Sequence, residues 1–107
     1  MPTTDPQFTV LRQGDPDAWR SLFETYGEPL YLFAYHHCCG DAAAAEDVRQ
    51  ETLIAAIERI DSYREEAPLF GWLCGIARHK AADWARRRKR EPGYAGLSAE
   101  SEDEALI

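Results

Sequence analysis

The side chains of this chain that are spaced for chemistry form binding surfaces rather than a catalytic centre. Asp47, Gln50, Glu51, Ile54 and Glu58 stand at positions i, i+3, i+4, i+7 and i+11, which places them along one stripe of a helix. An aliphatic residue among carboxylates is typical of a docking surface for a basic helix, because a dry centre is surrounded by charges that orient the partner. The alternative is an ordinary solvated helix face.

A second set of charged residues is cationic. Residues 69–90 contain seven basic residues and one acidic residue. Arg78, Arg86 and Lys89 fall on one side of a predicted helix together with small residues, so the backbone can approach DNA while the cations reach phosphates. Five consecutive cations at 86–90 exceed what the helix dipole needs, although a solvated basic helix end remains the alternative.

Aromatic residues flank the loop before this basic helix, at Tyr63, Phe70 and Trp72. Exposed rings or a pocket at such a place can stack with unpaired bases. Trp72 is more simply explained as a core residue. For Tyr63 and Phe70 the sequence leaves core packing and base stacking both open.

The run from His36 to Cys39 contains two histidines followed by two cysteines and invites a metal interpretation. Adjacent positions on a helix diverge by about 100°, so the four side chains cannot all face one ion. Neither a glycine-rich phosphate loop nor a nucleophile motif is recognisable. We therefore predict no metal, no cofactor and no enzymatic activity; a helical metal hydrolase using His36 is the enzymatic alternative.

Composition indicates one folded domain. The chain has 107 residues, of which 45% are hydrophobic, and a net charge of −7 that conceals the basic segment, since residues 1–68 carry thirteen acidic and five basic residues. Three cysteines make no disulfide framework. With neither a leader pattern nor a membrane-length apolar run, the sequence predicts a cytoplasmic protein without membrane insertion.

Helices must position the binding residues. Capping residues at Asp15 and Asp41, and glycines at Gly14 and Gly40, predict helices over about 6–13, 16–39, 41–60 and 68–90. Pro29 predicts a kink or a break in the second helix, because its nitrogen cannot donate a hydrogen bond. Apolar residues at helical spacing predict the buried sides of two helices. They are Trp19, Leu22, Phe23, Tyr26, Leu30, Phe33 and Ala34 on the second, and Val48, Thr52, Leu53, Ala56, Ile57 and Ile60 on the third.

The expected fold is all-α, a compact bundle of about four helices with an irregular acidic C-terminal tail. Residues 1–14 are expected to hold a short helix, residues 15–91 the helical domain and residues 92–107 a linker or tail.

Five stretches in a fixed order resemble region 2 of bacterial sigma-70 family factors, in the extracytoplasmic-function (ECF) group. They are GDPDAW at 14–19, LFETY at 22–26, AEDVRQETL at 45–53, WLCGIAR at 72–78 and DWARRR at 83–88. The resemblance covers residues 8–90. It implies a domain that recognises and melts the promoter −10 element and binds core RNA polymerase.

By position, the resemblance places two sets of contacts on this chain. The clamp helices of the polymerase β′ subunit would contact Asp47, Gln50, Glu51 and Ile54. The loop at 61–68 would capture a flipped base of the non-template strand. The candidate DNA-binding residues are Tyr63, Arg64 and Phe70 for the single strand, and Arg78, His79, Lys80, Arg86 and Arg87 for the DNA beyond it.

Arg49 stands where the family often has an uncharged residue, and it projects near the apolar side of its helix, so it must extend to solvent or find an acid. Nothing in the chain resembles region 4, which reads the −35 element. We expect the sequence to be part of a longer protein, the alternative being a shortened one whose partner supplies that anchor. Anti-sigma factors often hold the family inactive, so such a partner is also expected. A stand-alone helical DNA-binding regulator and a protein-interaction module without polymerase binding are the alternative functions.

Overall fold

Helices make up nearly all of the structure. The computed structural model describes residues 6–64 and 66–90, and the side chains from residue 8 onwards within those ranges. It contains α1 (Pro6–Arg12), α2 (Pro16–His37), α3 (Ala42–Arg59), a 3-10 turn (Ile60–Ser62) and α4 (Leu69–Lys89). The all-α prediction is confirmed, and the helix bounds lie within two residues of those expected. The predicted tail at 92–107 lies outside the described residues.

Local capping chemistry sets the helix boundaries as predicted. The Asp15 carboxylate accepts a hydrogen bond from the backbone nitrogen of Asp17 at 3.1 Å, and the Asp41 carboxylate accepts one from Ala44 at 3.0 Å. Each satisfies a helix-terminal N–H that has no partner within the helix. Gly14 and Gly40 follow the ends of α1 and α2 with φ of 78° and 79°, a conformation that favours glycine.

The core lies where α2, α3 and α4 pack against one another. Leu22 and Leu30 of α2 and Leu73 of α4 are completely buried. Thr52 of α3 is buried as well, and its hydroxyl donates to the Val48 carbonyl at 2.7 Å, so its polar atom has a partner. The predicted apolar side of α2 is confirmed, since every member is buried or packs against the core. None of the helices in the described part of the chain is long and apolar enough to cross a membrane.

Two expectations about the helices can be compared with the structure. α2 runs without a break through Pro29, with Leu22 and Leu30 buried on either side, so the alternative of a break is wrong and the kink stays a prediction. Ile57 was assigned to the buried side of α3 but is 46% exposed. It lies about 160° round the helix from the midpoint of Val48 and Thr52, so it faces away from the core.

Candidate functional site

The predicted acidic stripe lies on the solvent side of α3. All of its members are exposed, and Ile54 has 57% of its surface accessible. Ile57 is one turn further along the same side, so two exposed isoleucines lie among the acidic residues. The sequence pattern missed Ile57, although its spacing of three from Ile54 was the available signal. We call this surface the α3 face; it comprises Asp47, Gln50, Glu51, Ile54, Ile57 and Glu58.

Arg49 links α3 to α2 beside this face. Its guanidinium makes two hydrogen bonds to the Glu46 carboxylate, at 2.7 Å from Nε and 2.5 Å from Nη2. Nη1 donates to the Gly27 carbonyl of α2 at 3.3 Å, and the guanidinium carbon lies 5.3 Å from the centre of the Tyr31 ring. Of the two alternatives predicted for Arg49, extending to solvent or finding an acid, the second is confirmed. The arginine contacts both helices and so fixes how α3 is rotated against α2.

We predict that Arg49→Ala lowers the free energy of unfolding by about 1–2 kcal/mol, because charge-assisted hydrogen bonds that are partly buried are lost. Arg49→Lys should recover only part of this, since an ammonium group cannot reproduce the paired contact with Glu46. Urea unfolding measures both. The control is Arg20→Ala, which removes an exposed ion pair with Asp17 and should change stability by less than about 0.5 kcal/mol. Equal losses in the two alanine variants would contradict the linking role of Arg49.

The cationic residues of α4 do not all share one surface. Arg78, His79 and Arg86 are exposed and lie on one side of the helix, opposite the buried Leu73. Arg87 is exposed about 100° round from Arg86. The structure therefore brings three of the predicted phosphate-binding residues together and places Arg87 to one side.

Other residues of α4 add detail to this basic surface. Lys80 is half-buried. The Arg86 side chain donates a hydrogen bond to the exposed Asp83 carboxylate one turn earlier. The guanidinium carbon of Arg88 lies 5.6 Å from the centre of the half-buried Trp84 ring. These contacts pre-position long side chains that would otherwise lose conformational freedom on binding.

Tyr63 does not present its ring to solvent, so of the two alternatives left open for this ring the structure shows core packing. Only 4% of its surface is accessible, and its ring lies 4.6 Å from Phe8 and 5.1 Å from Trp72. The hydroxyl donates to the Ala67 carbonyl. The reason is that the 3-10 turn directs the chain back over the core, where α1 covers the ring. Trp72 packs against the core, as predicted.

Phe70 and Arg64 remain accessible beside this loop. The Phe70 ring is half-buried and stacks on the Tyr26 ring of α2, with centroids 5.5 Å apart and planes 21° from parallel. Arg64 is exposed. An aromatic surface thus lies at the start of α4 and an exposed cation in the loop before it, and such a pairing is suited to unpaired nucleotides.

The histidines and cysteines do not assemble into a site. Within residues 6–64 and 66–90 no group of three or more His, Cys, Asp or Glu side chains is arranged to hold a metal ion. His37 Nδ1 lies 3.0 Å from the Phe33 carbonyl, and Cys38 is buried. Burial raises the pKa of the Cys74 thiol, against the opposing effect of the Arg78 charge. That thiol therefore stays protonated at neutral pH, unlike a thiolate ligand or nucleophile.

Comparison with known proteins identifies a family for this chain. Residues 22–91 match the family model described as Sigma-70 region 2. The chain is 37% identical over 71 residues to the ECF RNA polymerase sigma factor BldN of Streptomyces coelicolor, covering 65% of this chain and 26% of that protein. It is 33% identical over 84 residues to the ECF RNA polymerase sigma factor SigW of Bacillus subtilis, covering 78% and 43%. It is 30% identical over 73 residues to the ECF RNA polymerase sigma factor SigX of the same organism, and the aligned part covers 68% of this chain and 37% of SigX. The chain spans less than half the length of these relatives.

Proposed function

Because this chain belongs to the sigma-70 region 2 family, we propose that it serves as the region of an ECF sigma factor that recognises and melts the promoter −10 element on core RNA polymerase. Its proposed role is binding, with the polymerase supplying the chemistry of transcription. Such a role places the protein in the bacterial cytoplasm. The observation that carries the proposal is one helical body with an exposed apolar and acidic face on α3 and an exposed basic side on α4.

The α3 face is the proposed contact with the clamp helices of the β′ subunit. Ile54 and Ile57 supply apolar area that solvent now covers, and burying it against a partner is favourable. Asp47, Glu51 and Glu58 surround it with negative charge, which suits a basic helix and speeds its approach. An anti-sigma factor that covered the same face would block this contact, which is how we expect such a partner to act.

The basic side of α4 and the start of that helix are the proposed DNA contacts. Arg78, His79 and Arg86 would hold phosphates, while Arg64 and Phe70 would receive the unpaired non-template strand. Flipping a base out of the duplex costs a few kcal/mol, which stacking on an aromatic ring can offset. α3 and α4 pack against each other in the core, so polymerase binding and strand capture would occur on one rigid body.

We predict that Glu51→Lys weakens binding to a purified β′ clamp-helix fragment by about tenfold or more, because an attractive contact becomes a repulsive one. Fluorescence anisotropy of the labelled fragment measures the affinity. The matched control is Glu24→Lys, which makes the same charge change at an exposed position of α2. It should weaken binding by less than about threefold, through the change in net charge alone.

Equal losses in the two variants would show that the fragment responds to overall charge and not to the α3 face. Absence of binding by the folded parent would contradict the proposed contact with polymerase. In that case a DNA-binding domain that works without polymerase would be the better description.

A further inference from the structure

α1 lies against the loop that precedes α4, although α1 falls outside the family match at residues 22–91. Its residue Phe8 is 6% exposed and belongs to the common core. The centre of the Phe8 ring lies 4.6 Å from that of Tyr63, which lies 5.1 Å from that of Trp72. Three aromatic rings therefore connect α1 to the beginning of α4 across this loop.

Hydrogen bonds to backbone carbonyls hold α1 in that place. The buried Trp19 indole nitrogen donates to the Leu11 carbonyl at 3.0 Å, which attaches α1 to α2. Arg12 Nη2 donates to the Tyr63 carbonyl at 3.4 Å, which attaches α1 to the loop. Both contacts use the C-terminal end of α1, and the Phe8 ring packs one turn earlier.

Tyr63 is the residue through which the loop is held. Its backbone nitrogen donates to the Ile60 carbonyl at 3.1 Å, and its hydroxyl donates to the Ala67 carbonyl. The two bonds secure the loop at its beginning and near its end. Arg64 directly follows Tyr63 in the chain and is exposed.

We propose that α1 is the positioning element of the loop at 63–68, with Phe8 as its positioning residue. Phe8 keeps the Tyr63 ring in the core, and Tyr63 keeps the loop in the conformation that presents Arg64 to the single strand. The statement about DNA rests on the proposed function, whereas the statement about the loop does not.

The length of α1 makes this arrangement sensitive to a single ring. A helix of seven residues is unstable alone, so α1 depends on its contacts with the core. Among the loop residues that the structure describes, Arg64, Glu66, Ala67 and Pro68 are exposed. Loss of the Phe8 ring should therefore open α1 and the loop locally, well before α2, α3 and α4 unfold.

Hydrogen exchange read by mass spectrometry tests the structural part. Phe8→Ala should speed exchange in peptides covering residues 60–72 by at least about tenfold, with less than about twofold change at residues 42–59. Phe8→Leu keeps apolar bulk without the ring and should give a smaller increase in the same peptides. The matched control, Phe33→Ala, removes a partly buried ring about 10 Å further along α2 than Tyr26 and should leave residues 60–72 unchanged.

The proposal would be overturned if both Phe8 variants exchanged hydrogen at residues 60–72 as slowly as the parent does. Phe8→Leu keeps this test decisive if the alanine variant fails to fold. The positioning role also predicts an effect that general destabilisation would not produce. Phe8→Ala, kept well below its unfolding temperature, should bind the clamp-helix fragment within about twofold of the parent, because the α3 face is untouched.

Base selection tests the part that concerns DNA. The probe is a single-stranded 12-nucleotide sequence enriched by the parent from a random library, compared with the library itself. Phe8→Ala should lower this affinity ratio by at least about fivefold, equivalent to about 1 kcal/mol. Faster loop exchange with an unchanged ratio would overturn the role of α1 in base selection. A parent that enriches no sequence would count against the proposed function and leave the exchange result standing.

Discussion

Leu73→Ala should lower the free energy of unfolding by about 3–5 kcal/mol, because Leu73 is fully buried where α4 meets the other helices. The loss has two parts: the favourable free energy of burying the removed methyl groups, and the cost of the cavity that they leave in the core. A domain of this size has a total stability of about 5–15 kcal/mol, so one substitution would remove a large part of it. Urea unfolding followed by tryptophan fluorescence measures the midpoint and the slope of the transition.

The matched control is Leu32→Ala, the same change at a leucine of α2 that is 56% exposed. It should change stability by less than about 0.5 kcal/mol, since little apolar area is lost and no cavity forms. The denaturant slope should stay the same in both variants if each still unfolds in two states. Similar losses for the two leucines would mean that the α4 core contact is not the main source of stability.

Local chemistry made the helix boundaries predictable. Asp15 and Asp41 cap the helices that follow them, and Gly14 and Gly40 end the helices before them, in the places that the sequence predicts. Each of these features depends on bonds between residues close in sequence. The exposure of the α3 stripe was equally predictable, because helical spacing alone separates these residues from the buried side of the helix.

What the sequence left open concerns residues whose state depends on distant parts of the chain. Pro29 has a local cost in a helix, but α2 continues through it and Leu22 and Leu30 on either side are buried in the core. Tyr63 is buried because α1, more than fifty residues earlier, supplies Phe8 as its neighbour. Periodicity within the segment around Tyr63 contains no information about that contact.

The candidate site also contains features that the sequence predicted and one that it missed. Glu51 and Ile54 were predicted to share an exposed face, and they do. Ile57 was missed because the buried side of α3 was drawn too broadly, and a helix with many small alanines gives a weak boundary between its two sides. Helical spacing had already placed Arg86 on the same side of α4 as Arg78, and the exposure of both residues agrees with it.

The basic side of α4 is open to a direct electrostatic test. Replacing Arg86 and Arg87 together by alanine should weaken binding to single-stranded DNA by about tenfold to a hundredfold at 0.1 M salt. The logarithm of the affinity should also fall less steeply with the logarithm of salt, by about 1.4 if each arginine neutralises one phosphate. Fluorescence anisotropy across a salt series gives both quantities.

The salt slope separates phosphate contact from general charge. A matched variant, Arg20→Ala with Arg59→Ala, removes the same charge from exposed positions on α2 and α3. It should leave the slope unchanged, because counterions are released only where cations meet phosphates. If the α4 variant keeps the parent slope, its arginines form a solvated helix end. If only Arg86→Ala changes the slope, by about 0.7, the contact follows the side of α4 that Arg86 shares with Arg78 and His79. Arg87 would then lie outside the DNA-binding surface.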